Sequence, residues 1–262
     1  MIMYNCDLVK KTQQRLLKMA VIIRDILERN DIPYFITYGT LLGAVRHKGF
    51  IPWDDDFDYY LFSDTYDKAL EALKKELPDN LFLEWYDSEP KYFHAWARVK
   101  DLNTVVDNSM FPQDMNYAHQ GLNVDLYITK LVNESEEDLY LAQQHLTYIE
   151  RRKALGFISE EDYNRRMNLI KPVLEKYGKG WETPKNDRKL YAFMSTYKND
   201  FMYPEDTFPL KRYEFEGELF YGPKDADIFL KRCYGDYMQL PPEEKRVPHN
   251  SKVIFLDDNK AE

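Results

Sequence analysis

Cysteine is scarce in this chain. Cys6 and Cys233 are the only two in 262 residues, with no CxxC and no Cys/His pair at zinc-ligand spacing. That argues against a disulfide scaffold and a thiolate metal centre, and it predicts a reducing compartment. Histidine is also sparse, five residues scattered along the chain, so a histidine-built metal site is not expected. Positive charge is in deficit: 36 Lys and Arg face 45 Asp and Glu, a net charge of −9. A protein that grips nucleic acid broadly needs a basic face, so nucleic acid is not an expected partner. No run approaches the roughly 20 apolar residues of a membrane span. The opening MIMYNCDLVKKTQQR lacks the apolar core of a signal peptide. The expectation is a cytoplasmic protein, with peripheral contact at the inner face of a membrane left open.

What the chain does have is apolar and aromatic mass. Apolar residues make up 44% and aromatic residues 15%, with 21 tyrosines, enough for a large packed core. Leu16, Met19, Ala20, Ile23, Ile26 and Leu27 recur at helical spacing and predict a helix over 7–29. YFITY (34–38) predicts a buried strand. Gly39 then breaks it, and Thr40 is placed to cap a short helix through LLGAVR. DFDYYLF (56–62) alternates as a strand, and Ser63 is placed to cap a helix over 64–77. LFLEWY (81–86), HAWARVK (94–100) and GLNVDLYI (121–128) predict further strands. Helices are expected over 134–155, over 159–177 behind a Ser159/Asp162 capping box, and over about 186–200. YEFEGELFYG reads as a strand pair or hairpin, and 225–233 as a helix ended by Gly235. The proline-rich PPEEKRVPHN is expected to lie across the surface. The fold class is therefore α/β (α+β): a mixed sheet core with flanking helices and a helical second half. The expected organisation is a core over 1–130, a helical insert or lobe over 131–210 and a C-terminal segment over 211–262, all in one compact unit.

The chemistry concentrates in GFIPWDDDFDYYLF, which carries Asp54, Asp55, Asp56 and Asp58. On a strand, Asp56 and Asp58 project from one face. Adjacent carboxylates in apolar surroundings call for a cation, and hard oxygen ligands suit Mg²⁺ or Mn²⁺. Asp125 is a third acid in a strand, and it joins the pair if the two strands are neighbours. The plain alternative is a solvated acidic loop. Upstream, Gly39 and Thr40 form a strand-to-helix turn that can bring backbone N–H groups to an anion. Arg46, His47 and Lys48 follow; the two cations can bind phosphate oxygens or simply face solvent. Arg98 lies mid-strand on the face of Trp96 and Lys100 and needs a partner, either a carboxylate or a phosphate. Trp53, Trp85 and Trp96 can pack, stack a base or cage a quaternary ammonium. His47, His119 and His249 are candidate general bases.

YGTLLGAVRHKGFIPWDDDFD resembles the signature of the LicD family, related to fukutin-type proteins. RVKDLNTV (98–105), HQGLNVDLYI (119–128) and FEGELFYGPKDADIFLKRCYGDYMQLPPEEKRVPH (215–249) resemble further family segments. The resemblance implies a nucleotidyltransferase-like fold and a phosphotransferase. Gly39 and Thr40 would approach nucleotide phosphates. Asp56 and Asp58 would be the metal-binding pair, Asp125 the third acid and Asp54 a metal-adjacent one. Arg46, His47, Lys48, Trp53, Arg98, Arg246 and His249 would line the substrate site. The implied reaction moves phosphocholine from CDP-choline, or from a similar nucleotide donor, to a glycan or lipid-linked glycan precursor such as those of lipopolysaccharide or teichoic acid. The YYLF after Asp58 is more aromatic than the family pattern, which leaves the transferred group open. A nucleotide-sugar glycosyltransferase, suggested by the Asp-x-Asp spacing, and a non-catalytic nucleotide- or glycan-binding scaffold are the competing readings.

Overall fold

The computed structural model describes residues 6–107, 112–179, 181–193, 201–250 and 252–258. In chain order the first half runs α1 (Cys6–Arg29), β1 (Tyr34–Ile36), α2 (Tyr38–Arg46), β2 (Asp58–Phe62), α3 (Tyr66–Glu76), β3 (Leu81–Glu84), β4 (Ala97–Asp101), β5 (Thr104–Val106) and β6 (Asn123–Asn133). The second half runs α4 (Glu137–Ala154), α5 (Glu160–Gly178), β7 (Lys189–Phe193), β8 (Phe201–Met202), α6 (Pro204–Thr207), β9 (Lys211–Phe215), β10 (Glu218–Gly222), α7 (Ala226–Tyr234) and β11 (Val253–Phe255).

The main sheet has strand order β1-β2-β6-β4-β3, and β7 and β8 extend it from β6. β2 and β6 are parallel, and the other pairs are antiparallel. All five residues of β2 are buried, because the strand lies inside the sheet with both faces covered. One face takes the apolar stripe of α1, where Leu16, Ala20, Ile23 and Leu27 are sealed from solvent. Removing one such leucine side chain costs about 2–5 kcal/mol. The Tyr59 hydroxyl donates to the Ala20 carbonyl and ties that helix to the sheet. From α3, the Tyr66 hydroxyl accepts the Ala97 N–H and donates to the Leu126 carbonyl, joining β4 to β6 on the same level. Phe57 packs against Phe215 and Phe220 of the β9–β10 hairpin. That hairpin closes through Glu216 and Gly217, both at positive φ as a two-residue turn requires.

Several sequence expectations are corrected. The segment expected as a helix over 186–200 is strand β7 at 189–193, with Leu190 and Ala192 buried against β6; residues 194–200 fall outside the described residues. An apolar run this short reads as helix or strand until a partner edge is known. Segment 131–210 thus supplies two strands to the sheet as well as α4 and α5. Thr40 does not cap α2. Thr37 is the N-cap, and the Thr40 Oγ1 instead accepts the Asp58 N–H at 2.9 Å. Nor does Ser63 cap α3, whose N-cap is Thr65. Ser159 does cap α5, accepting the Asp162 N–H. Asp225 caps α7 and Gly235 ends it at φ 65°.

Candidate active site

Because β2 and β6 are parallel, their N-terminal ends lie together, and the register pairs Asp58 with Asp125. Side chains of register partners leave the same face of a sheet. The loop before β2 enters at this end and carries Asp54, Asp55 and Asp56. The Asp125 N–H donates to the Phe57 carbonyl at 3.1 Å, pinning the loop to β6. The N-terminus of α2 opens at the same end, since the Thr37 N–H donates to the Asp58 carbonyl. Gly39, in the first turn of α2, lies against Asp54: a Cβ there would stand 2.7 Å from Oδ2. Gly43 carries the same kind of constraint, since its Cβ would meet the Gly49 carbonyl oxygen at 2.4 Å. Both glycines permit contacts that any side chain would displace.

The four acids of the loop and strand have separate duties. Asp55 is buried and accepts three hydrogen bonds from the tail: His249 N–H at 2.7 Å, Asn250 N–H at 3.0 Å and Asn250 Nδ2–H at 2.9 Å. The tail therefore does not merely cross the surface. It is drawn to the acid cluster, and β11 then pairs with β5. The His249 Nδ1 lies 3.4 Å from Asp55, 3.2 Å from Asp56 and 4.0 Å from Asp54. Its bonds to Asp55 and Asp56 raise its pKa to about 11 against the opposing effect of burial. One ligand atom each from Asp54, Asp56 and His249 fits within 4.8 Å, a grouping that can hold a metal ion.

Electrostatic imbalance marks the rest. Burial, then the charges of Asp56 and Asp125, push the Asp58 carboxyl well above the ordinary range. Burial and Asp56 do the same to Asp54. Asp125 is raised by burial, with Arg98 opposing. The Asp125 Oδ1 accepts from Arg98 Nε and Asn123 Nδ2, both at 3.0 Å, while Tyr127 OH stands 3.4 Å from Oδ2. The Trp96 indole N–H makes no hydrogen bond among the described residues, though it lies near enough to Asp125 to oppose that rise.

The expected substrate residues divide by position. Gly39 and Thr40 line the α2 end of the cluster. Arg98 is buried and bonded to Asp125 and Asp114, so a carboxylate answers its need for a partner. Arg46 bonds His47 Nε2 and the Tyr237 carbonyl after α7. His47 is pushed down by burial and by Arg46. Lys48 is exposed, and its carbonyl accepts the Glu216 N–H. Trp53 lies under the Arg246 guanidinium, 5.6 Å from ring centroid to carbon. His119 packs edge-on against Phe82 of β3. Sequence reasoning missed Asp55 as the tail's anchor, Asp114 as the second partner of Arg98, and Tyr234 near the acids. The Tyr234 ring is partly open to solvent, yet dense surroundings and the charges of Cys233, Asp58, Asp54 and Asp56 raise its phenol. Only for Asp114 was there a signal, the mid-strand arginine.

Residues 31–122 match the LicD/FKTN/FKRP nucleotidyltransferase domain. The chain is 27% identical over 259 residues to the lipopolysaccharide cholinephosphotransferase LicD of Haemophilus influenzae, covering 88% of this chain and 91% of that one. It is 46% identical over 250 residues to the uncharacterized protein RT0683 of Rickettsia typhi, covering 94% of this chain and 54% of that protein, about half its length. Residues 31–122, which span the α2 turn, the acidic loop and β2, thus match a LicD-type nucleotidyltransferase domain, and the likeness to the Haemophilus protein covers most of the chain.

Proposed function

We propose that this chain is a divalent-cation-dependent phosphotransferase. It moves phosphocholine, or a related alcohol phosphate, from a CDP-alcohol to a hydroxyl of a cell-surface glycan or its lipid-linked precursor and releases CMP. The observation that carries this reading is the register of Asp58 with Asp125, with Asp54 and Asp56 beside them. The printed activity of the Haemophilus relative supports the transferred group. Among the described residues no helix is long and apolar enough to cross a membrane.

The donor set suits Mg²⁺ or Mn²⁺: clustered carboxylates, two of them raised well above their ordinary range by burial and mutual repulsion. Asp54, Asp56, Asp58 and Asp125 would hold the cation. When bound it supplies neutralising charge to the transferring phosphoryl group and the leaving phosphate. The chain's own residues do the remainder. The N-terminal turn of α2 at Gly39 and Thr40 receives phosphate oxygens. The acceptor hydroxyl oxygen bonds to the distal phosphorus, and the bond from that phosphorus to the bridging oxygen breaks. The electron pair leaves with CMP, and a carboxylate of the cluster takes the hydroxyl proton.

The test is incubation with CDP-choline, CDP-ethanolamine and other CDP-alcohols, with Mg²⁺ or Mn²⁺ and lipopolysaccharide or lipid-linked oligosaccharide as acceptor, reading CMP. Metal-dependent CMP release with a phosphodiester gained by the acceptor is the expected result. Folded protein that releases no CMP from any donor overturns the reading, as does a hexose gained from a nucleotide-sugar.

A further inference from the structure

Behind Asp125 lies a chain of buried polar groups that the proposed reaction does not itself use. Arg98, the register partner of Asp125 on β4, forks: Nε donates to the Asp125 Oδ1 at 3.0 Å and Nη1 to the Asp114 Oδ2 at 2.5 Å. The other oxygen of Asp114, Oδ1, meets His94 Nε2 at 2.9 Å. The His94 and Asp114 side chains have no solvent exposure, and that of Arg98 has 3%. Asp114 comes from a single 3-10 turn (Pro112–Asn116) between β5 and β6, and its carbonyl also accepts from Gln120 Nε2.

A buried arginine gripping a single carboxylate can rotate about that contact. Anchored at two points by a fork, it cannot. The Asp125 Oδ1 is taken by Arg98 and Asn123, which leaves Oδ2 with the Tyr127 hydroxyl at 3.4 Å. We propose that Asp114 is a positioning residue: held by His94, it locks the Arg98 guanidinium so that Asp125 always presents Oδ2 to the ligand shared with Asp58. The inference rests on the reading of Asp125 as a site acid. The charges agree with a fixed network. Burial and Arg98 push His94 down to about 3, so it is neutral, whereas His94 and Arg98 hold the Asp114 carboxyl at about 2 against burial. Arg98 therefore has a charged partner in Asp114 at neutral pH.

Metal ligands commonly depend on such outer partners, whose loss costs about 10- to 100-fold in metal affinity or activity. The experiment compares Asp114→Asn, Asp114→Glu, Arg98→Lys and Asp125→Asn. It reads Mn²⁺ binding by calorimetry without substrate, CMP release with CDP-choline, and thermal melting. Asp114→Asn is expected to weaken Mn²⁺ binding about 10-fold or more and to lower kcat by a similar factor, with KM for CDP-choline changed less than about twofold. Asp114→Glu should recover part of both. If Asp114→Asn does not fold, Arg98→Lys, which keeps the charge and loses the fork, stands in its place with the same expectations. Folded Asp114→Asn with wild-type Mn²⁺ binding and kcat overturns the inference while a dead Asp125→Asn leaves the site reading standing. A fully active Asp125→Asn overturns both.

Discussion

Asp58 and Asp125 are register partners on neighbouring parallel strands, so their carboxylates leave the sheet side by side. Two such acids repel each other when buried, and Asp58 carries the mark of it. Asp58→Asn is expected to lower transfer by roughly 100-fold or more, the scale on which a charge-stabilising group is lost. Metal-free thermal stability should hold or rise, because an unbalanced charge is removed. Added Mn²⁺ should raise the melting temperature of the wild type and leave that of the variant nearly unmoved. Undiminished CMP release from Asp58→Asn contradicts the assignment.

A second buried pair sets a pH dependence. The Glu84 Oε2 lies 3.8 Å from Lys100 Nζ, both side chains are almost fully buried, and neither makes a hydrogen bond among the described residues. Burial, opposed by Lys100, raises Glu84 to about 7. An unfolded glutamate titrates near about 4.3. Between those values the folded state binds a proton that the unfolded state does not. This contribution therefore makes the protein more stable as pH falls from about 7 toward about 4.3. Urea melts at pH 5, 6, 7 and 8 should show that slope in the wild type and a flatter one in Glu84→Gln. Parallel curves would dismiss the assignment.

Asp55 is the peg on which the tail hangs, through three hydrogen bonds from His249 and Asn250. Bonds to a charged acceptor contribute about 1.5–3 kcal/mol each and do not simply add. Asp55→Ala is expected to lower stability by about 2–3 kcal/mol and to speed amide exchange at His249 and Asn250. His249 should also leave the acid cluster. Unchanged exchange at both amides would show that the tail is held elsewhere.

The two glycines of α2 separate function from packing. Gly43→Ala drives a Cβ into a backbone carbonyl, which cannot yield as a side chain can, and overpacking of this kind costs about 1–3 kcal/mol. Gly39→Ala meets the end of the Asp54 side chain, which can move. Its cost should fall on turnover and metal affinity more than on the melting temperature. Chemical denaturation and CMP release on both variants check the contrast, and the reverse ranking would refute it.

Much of the architecture was written in local pattern. The apolar spacing of α1, the alternation in β2 and β6, and the hairpin around Glu216 and Gly217 depend on neighbours a few residues away, so periodicity reveals them. Strand β7 was misread because Leu190 and Ala192 become strand residues only when β6 offers them an edge. The capping errors have a similar origin. Thr40 has the right chemistry for a helix start, but its hydroxyl is claimed by the Asp58 N–H from a distant part of the chain.

By itself, the sequence determined that a dense set of carboxylates sits in apolar surroundings after a Gly-Thr turn, which is a demand for positive charge. Tertiary structure decided how the demand is shared. Asp55 goes to the tail, Asp125 to Arg98, and Asp54 and Asp56 gather around His249. The reason is that charge and spacing are properties of residues, whereas which oxygen meets which donor is set by strand register and by loops that close over long stretches of chain.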